Sequence, residues 1–215
     1  MTTLILAEKP DAALKIASSL ADTHPVKKAL NKVPYYELTH KKEKIIVACA
    51  VGHLYNLREK EKKGWVYPIF SLEWAPTYET NKSSAYTKNY LLLIQKLSKE
   101  AKKFVIATDY DVEGEVIGLN IIRFACGQKD AHRMKFSTLT KDELIDSYAN
   151  AANHLDWLQA EAGETRHKLD WLFGINLSRA LTLAVKSTGH FRILSSGRVQ
   201  GPALKILSDR EKEIK

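Results

Sequence analysis

The chain has 215 residues, 45% of them apolar and 27% charged, which is the balance of a globular protein and excludes a disordered one. No apolar run approaches the roughly 18 residues that span a bilayer, the opening MTTLILAEKP lacks the flanks of a secretory signal, and Cys49 and Cys126 are too few for a disulfide framework or a cysteine-built zinc site; a reducing cytoplasm is the expected compartment. The formal net charge of +8 favours a polyanionic partner, because a basic surface releases counterions from nucleic acid.

In chain order, Leu4 to Ala7 reads as a strand and Pro10 to Ala21 as a helix with proline in its first turn. Tyr35 to Leu38 and Ile45 to Ala50 are two further strands across a polar turn. The lysine clusters at Lys27-Lys28, Lys41-Lys42, Lys44 and Lys60 to Lys63 read mostly as solvated loops. Gly64 to Tyr86, rich in aromatics and prolines, is expected to be irregular. A helix over Lys88 to Lys102 leads into a strand at Phe104 to Ala107, then a helix over Glu113 to Cys126 and a short strand at Met134 to Phe136. Thr140 and Glu143 form a capping box that opens a helix ending near Asn153. Strands alternating with helices predict an α/β domain with a largely parallel sheet over residues 1–150. Residues 151–215 change character: Leu155 to Lys186 is nearly all helical, and Val199 to Lys215 is one more amphipathic helix.

The stretch from Ala107 to Glu115 (ATDYDVEGE) carries the chemistry. It follows an apolar strand and opens a helix, at the sheet edge where open α/β folds bind ligands. Asp109, Asp111 and Glu113 alternate and can converge if the backbone turns, which Gly114 permits. Crowded carboxylates repel unless a cation neutralises them, and an all-oxygen set suits Mg²⁺. An EF-hand loop is rejected, because its twelfth position here is Asn120 in place of a bidentate Glu. A solvated acidic turn without a ligand stands as an equal reading from spacing alone. If the first strand lies parallel beside the strand before Asp109, Glu8 and Lys9 reach the same edge. Glu8 among other carboxylates is then a candidate for proton transfer, and Lys9 a point charge for phosphate.

An acidic residue after strand one and a DxDxE after a later strand resemble the Toprim domain, shared by topoisomerases, primases and some nucleases. That resemblance implies Mg²⁺ on Glu8, Asp109, Asp111 and Glu113, with Glu8 in acid–base chemistry. The run from Arg166 to Arg179 (RHKLDWLFGINLSR) and the run Ser195-Ser196-Gly197-Arg198-Val199-Gln200 are similar to segments that type IA DNA topoisomerases carry after their Toprim domain. Val51-Gly52-His53-Leu54 and Glu8-Lys9-Pro10 fit the same family, most like its archaeal and topoisomerase III-like branches. The resemblance implies a Toprim, Rossmann-like domain followed by an all-α DNA-binding segment. It implies single-stranded DNA as partner, contacted by His53, Arg166, Asp170, Arg179, Lys186 and residues Ser195 to Gln200. Between Thr165 and Gln200 six basic residues face the single acid Asp170, and the Ser195–Gly197 loop can offer N–H groups to phosphate before a helix. By residue type alone these are solubility arginines, a structural ion pair at Asp170 and a packed His53; the motif context reverses that order. Trp171 is expected in the core and Tyr110 as a packing residue. Many bacterial members carry Arg where this chain has Val112, so no role of that Arg carries over.

In the family a tyrosine in a TYxRT-like setting attacks DNA and forms a 5′-phosphotyrosine link, which conserves bond energy for resealing without ATP. None of the nine tyrosines here has that setting. The expectation is a fragment of a longer chain, or one half of a split enzyme whose second chain brings the tyrosine, with a nucleoid-associated location. Rivals are another Toprim phosphoryl-transfer protein, such as a primase or nuclease, and a non-catalytic nucleic-acid-binding module. Four carboxylates near phosphate oppose the last, since binding alone gains nothing from them.

Overall fold

The computed structural model describes residues 1–62 and 64–215; Lys63, at the end of the last lysine cluster, lies outside the described residues. The chain divides into two compact units, one of Met1–Asn56 with Ala75–Glu164, the other of Leu57–Trp74 with Thr165–Lys215.

The first unit is built on a six-stranded sheet. Its strands are β1 (Thr2–Ala7), β2 (Val26–Leu30), β3 (Val33–His40), β4 (Glu43–Cys49), β7 (Lys103–Ala107) and β8 (His132–Arg133), in the spatial order β2-β3-β4-β1-β7-β8. β4, β1, β7 and β8 run parallel, while β2 and β3 add an antiparallel edge. The central strands are apolar on both faces, as strands covered on both sides must be. Ile5, Ala7, Ile45, Val47, Cys49, Val105 and Ala107 share one buried cluster with Ala13, Ile16 and Leu20 of α1 (Pro10–Leu20) and Leu144 of α5 (Lys141–Ala149). The alternate residues Leu4, Leu6, Ile46 and Ile106 point to the opposite face and are fully buried there. On that face α4 (Val112–Asn120) approaches so closely that a Cβ on Gly118 would lie 2.6 Å from Ile106 Cγ2. α2 (Thr77–Thr80) and α3 (Thr87–Ser98) complete the first unit.

β5 (Tyr55–Glu59) and β6 (Leu72–Pro76) pair as a two-stranded sheet, so part of the stretch expected to be irregular is ordered as β6, α2 and a 3-10 turn over Lys82–Ser84. α6 (Trp157–Ser187) and α7 (Gln200–Ile214) supply the helical character expected of the C-terminal part. The fold class is therefore as expected: α/β with a mostly parallel sheet, then helices.

Four local expectations are corrected. β2 was not foreseen, because VKKAL is an exposed edge strand with no apolar alternation. The helix expected to reach Cys126 ends earlier, and Ile121–Ala125 forms a π turn closed by Cys126 N–H on the Ile121 carbonyl at 3.0 Å. The last strand pairs through His132–Arg133, two residues before the expected Met134–Phe136. The Thr140 side chain makes no cap bond; Glu143 instead accepts the N–H groups of Ser137 and Thr138. Among the described residues no helix is long and apolar enough to cross a membrane.

Candidate functional site

Parallel pairing fixes which residues meet. Ala7 sits opposite Cys49 on one side and Ala107 on the other, so Glu8 and the Thr108–Asp109 step leave the sheet at one edge. There Lys9 Nζ lies 2.8 Å from Asp109 Oδ2 and 3.4 Å from Glu8 Oε1, and the Asp109 N–H points at Glu8 Oε2 at 3.4 Å. The hydrogen bond to Asp109, reinforced by the charge of Glu8, raises the Lys9 pKa above its ordinary value, so the ammonium is held charged.

His53 joins this cluster. The Gly52 N–H donates to the Glu8 carbonyl at 3.3 Å, and the turn before His53 bends through positive φ at Val51 (56°) and Gly52 (88°). A β-branched residue in that region is strained, and such strain persists where surrounding contacts over-determine the turn. The Thr77 hydroxyl donates to the His53 carbonyl at 2.8 Å, and His53 Nε2 lies 3.2 Å from Glu113 Oε2.

The acidic loop is shaped by backbone contacts. Asp111 is the N-cap of α4, its Oδ1 accepting the Gly114 N–H at 2.7 Å. The Thr108 hydroxyl donates to the Gly114 carbonyl at 2.8 Å. A Cβ at residue 114 would fall 2.1 Å from the Asp109 carbonyl oxygen, so only glycine fits. Arg133 lies beneath the loop with no exposure. It donates to Glu115 Oε1 at 2.6 Å, to the carbonyls of Thr108 and Asp109 at 2.8 Å each, and to the Met134 carbonyl at 2.6 Å. One guanidinium thus ties the loop to both α4 and β8. No sequence pattern marks Arg133, because a lone arginine beside a short strand resembles a surface residue; the nearest signal is Glu115, an extra acid in the first turn of a buried helix.

Tyr110, expected to pack inward, is 44% exposed. Lys135 Nζ lies 4.7 Å from its ring centroid and 3.1 Å from its hydroxyl, with Asp156 Oδ2 3.5 Å from the same ammonium. Beside it, Asp109, Tyr110, Asp111, Phe136, Ser137 and Leu139 line an open depression of about 370 Å³.

The donor chemistry fits a hard cation: Glu8, Asp109, Asp111 and Glu113 offer carboxylate oxygens at one sheet edge. Among the described residues, however, no three of these four bring oxygens within 4.8 Å of one another. Lys9 occupies Asp109, His53 occupies Glu113, and one oxygen of Asp111 caps the helix. Each of these carboxylates thus already has a partner within the protein, and a metal here would draw Asp109 away from Lys9.

The remaining predicted residues belong to the second unit. Arg198 grips Asp170 bidentately, Nε to Oδ1 at 2.6 Å and Nη2 to Oδ2 at 3.1 Å, and Arg166 Nε approaches the same carboxylate at 3.8 Å. Ser196 is bonded through its N–H and carbonyl to the Ser178 hydroxyl at 3.0 and 3.2 Å, which secures the loop before α7. Ser195, Arg198, Val199 and Gln200 are exposed, as is Lys186, while Ser196 and Gly197 are half-buried. Arg179 is not on that exposed set. It turns inward to an ion pair with Glu59 and donates to the Val66 carbonyl at 2.9 Å, its side chain only 12% exposed. The pairing across 120 residues explains why its residue type suggested a solvent-facing cation. Trp171, expected in the core, is half-buried.

Two family descriptions match the chain: "Toprim domain" over residues 3–139 and "DNA topoisomerase" over residues 154–215. Similar proteins include the DNA topoisomerase 1 of Pyrococcus furiosus, 51% identical over 98% of this chain and 20% of that protein. The DNA topoisomerase 1 of Methanocaldococcus jannaschii is 49% identical over 100% of this chain and 28% of its own length. The DNA topoisomerase 3 of Staphylococcus haemolyticus is 32% identical over 100% of this chain and 29% of its own. The chain therefore spans less than a third of each of these three relatives. Full-length topoisomerase I from Thermotoga maritima shares the fold at a TM-score of 0.63 and 24% identity, over 98% of this chain and 30% of that one. The order expected from the sequence, a Toprim domain and then a DNA topoisomerase segment, is the order of the two matches. With its parallel sheet, its Glu8 and Asp109–Glu113 edge and a match covering well over half its length, the chain belongs to the Toprim family.

Proposed function

We propose that this chain is the acid–base and metal-binding part of an ATP-independent type IA DNA topoisomerase, which alters DNA topology by transient cleavage and resealing of one strand. The observation that carries the reading is the meeting of Glu8, Lys9 and Asp109, residues a hundred positions apart, at one edge of a parallel sheet. The attacking tyrosine comes from a further domain or a second chain. A primase or nuclease reading of the same edge has no use for the topoisomerase-like residues 154–215.

Toprim domains bind divalent metal ions, and Mg²⁺ is the ion proposed here, held by Asp109, Asp111 and Glu113 with Glu8 beside them. When bound it supplies positive charge that steadies the DNA ends for resealing. The chain's own groups do the rest. Glu8, side-chain exposure 16%, stands beside Lys9 as the group proposed to exchange a proton with the DNA 3′-oxygen. Lys9, 61% exposed, has the freedom to turn from Asp109 to a phosphate oxygen, and a bound metal would neutralise the carboxylate it leaves. In the second unit, Arg166, Lys186 and Arg198 grip single-stranded DNA by its phosphates, with Ser195 to Gln200 lining its path and Asp170 holding Arg198 in place.

The test is a melting experiment. Mg²⁺ should raise the melting temperature of the chain, and Asp111→Asn should abolish that rise. The metal-free melting temperature should stay unchanged, because asparagine caps a helix as well as aspartate does. A full Mg²⁺ response in Asp111→Asn sinks the assignment.

A further inference from the structure

Within the second unit, the segment between β5 and β6 presents aromatic rings to solvent. Trp65, Tyr67 and Phe70 are 48%, 50% and 74% exposed, and Phe191, 65% exposed, meets Trp65 edge-on at 6.5 Å between centroids. Large exposed rings concentrated on one short segment mark a binding site more often than an accident of folding.

The segment is held in place. Asn176 of α6 accepts the Ile69 N–H at 2.7 Å and donates to the Ile69 carbonyl at 2.9 Å. Arg179, paired with Glu59, donates to the Val66 carbonyl, and the Lys60 N–H donates to the Ser71 carbonyl at 3.1 Å. Clamps at 60, 66, 69 and 71 bracket the three aromatic positions, so the backbone cannot swing the rings inward without breaking several internal bonds.

The unit that carries these rings is cationic in composition. The residues of this unit include fourteen Lys and Arg against seven Asp and Glu. Three of those acids, Glu59, Glu73 and Asp170, are already taken by Arg179, Arg58 and Arg198. Lys62, Lys186 and Arg192 are exposed. Rings set among cations suit an unpaired nucleic-acid strand, whose bases stack and whose phosphates neutralise charge. A duplex hides its base faces, and an apolar protein surface has no anions to offer.

We propose that Trp65, Tyr67, Phe70 and Phe191 form a stacking platform for the bases of single-stranded DNA, with Lys62 and Arg192 beside it for phosphates. This rests on the DNA-binding reading above and adds to it: preference for unpaired strands resides in these rings rather than in the acidic residues.

The experiment measures binding of a fluorescent oligothymidylate to the whole chain by anisotropy. Trp65→Ala and Phe70→Ala should each weaken binding about 5- to 150-fold, the range for losing one base–ring stack. Trp65→Phe should restore most of it. An abasic oligonucleotide of equal length should bind wild type and variants alike, and the salt dependence should not change, because no phosphate contact is removed. Phe70 is so exposed that its variant keeps the fold, which circular dichroism checks. Unchanged oligothymidylate binding in both alanine variants overturns the platform, as does an equal loss on the abasic strand. Self-association that Trp65→Ala abolishes, with DNA affinity intact, overturns it in favour of a second copy of the chain. If wild type binds no oligonucleotide, the DNA-binding reading itself falls; if wild type binds and the alanine variants match it, only the platform does.

Discussion

Arg133→Met is the substitution that most directly probes how the acidic loop is held. Neither Arg133 nor Glu115 has any side-chain exposure, and Glu115 Oε2 is buried with no hydrogen-bond partner, so the carboxylate depends on the single bond from Arg133 Nε. Removing one member of a buried pair strands the other charge away from water, at a cost of about 3–5 kcal/mol. The carbonyls of Thr108, Asp109 and Met134 lose their donors in the same step, and these losses overlap rather than add. In a chain of this size that destabilisation corresponds to a fall in melting temperature of roughly 6–20 °C. Urea titration followed by circular dichroism measures it, and the double variant Arg133→Met/Glu115→Met completes a cycle. Removing both charges should recover part of the loss, giving a coupling of roughly 1–3 kcal/mol. Arg133→Lys should fall between, since an ammonium can meet Glu115 but cannot span both loop carbonyls. The Mg²⁺-induced rise in melting temperature should shrink in Arg133→Lys, because the Asp109 carbonyl is no longer pinned. A loss below about 1 kcal/mol for Arg133→Met, or strictly additive effects in the cycle, would refute the claim that this pair organises the loop.

Gly114→Ala should destabilise by about 1–3 kcal/mol and blunt the Mg²⁺ response, since its Cβ meets the Asp109 carbonyl oxygen at 2.1 Å; melting with and without the ion reads both effects. Arg198→Ala removes an exposed ion pair, so stability should change by less than about 1 kcal/mol, while DNA binding weakens across sequences and its salt slope drops by about one. Arg179→Met should do the reverse in the first respect, costing about 3 kcal/mol by urea titration, because it strands Glu59. Asp130 governs part of the acid limb. Burial pushes its pKa up, but the Leu155 and Ala131 N–H groups and His154 outweigh it and hold the carboxyl below the ordinary value. A lowered folded pKa contributes stability that is complete above the unfolded value of about pH 3.9 and is lost as pH falls through the folded one. Asp130→Asn should therefore lower neutral stability and flatten the decline over that acid window; an unaltered decline in urea midpoint would exclude the assignment.

Short-range pattern was enough for the frame and the chemistry. β1 and β7 are written as apolar runs ending in acidic residues, and Asp111 and Gly114 announce a capped helix start within four positions. Glu8 was legible as a candidate, but only on the condition that two strands lie side by side, and the register that places Ala7 against Ala107 is a property of the assembled sheet. The condition holds, and the residues meet. β2 was invisible because an exposed edge strand buries no side of itself and leaves no alternation to read. The capping box at Thr140 was a sound local motif that lost to Glu143 turning back on Ser137 and Thr138.

What changed most between sequence and structure is the meaning of the long charged side chains. Arg133, Arg179 and Arg198 are the same residue type, yet one is entombed against Glu115, one is sealed onto Glu59 and one stands exposed on Asp170. The amino-acid order alone determined the α/β frame, the four carboxylates and the family, because burial periodicity and loop chemistry are encoded over a few residues. Only the tertiary structure decided which cations serve the fold and which face outward. A guanidinium takes whichever carboxylate the packed chain brings within reach, and for these three the partner lies 18, 120 and 28 positions away.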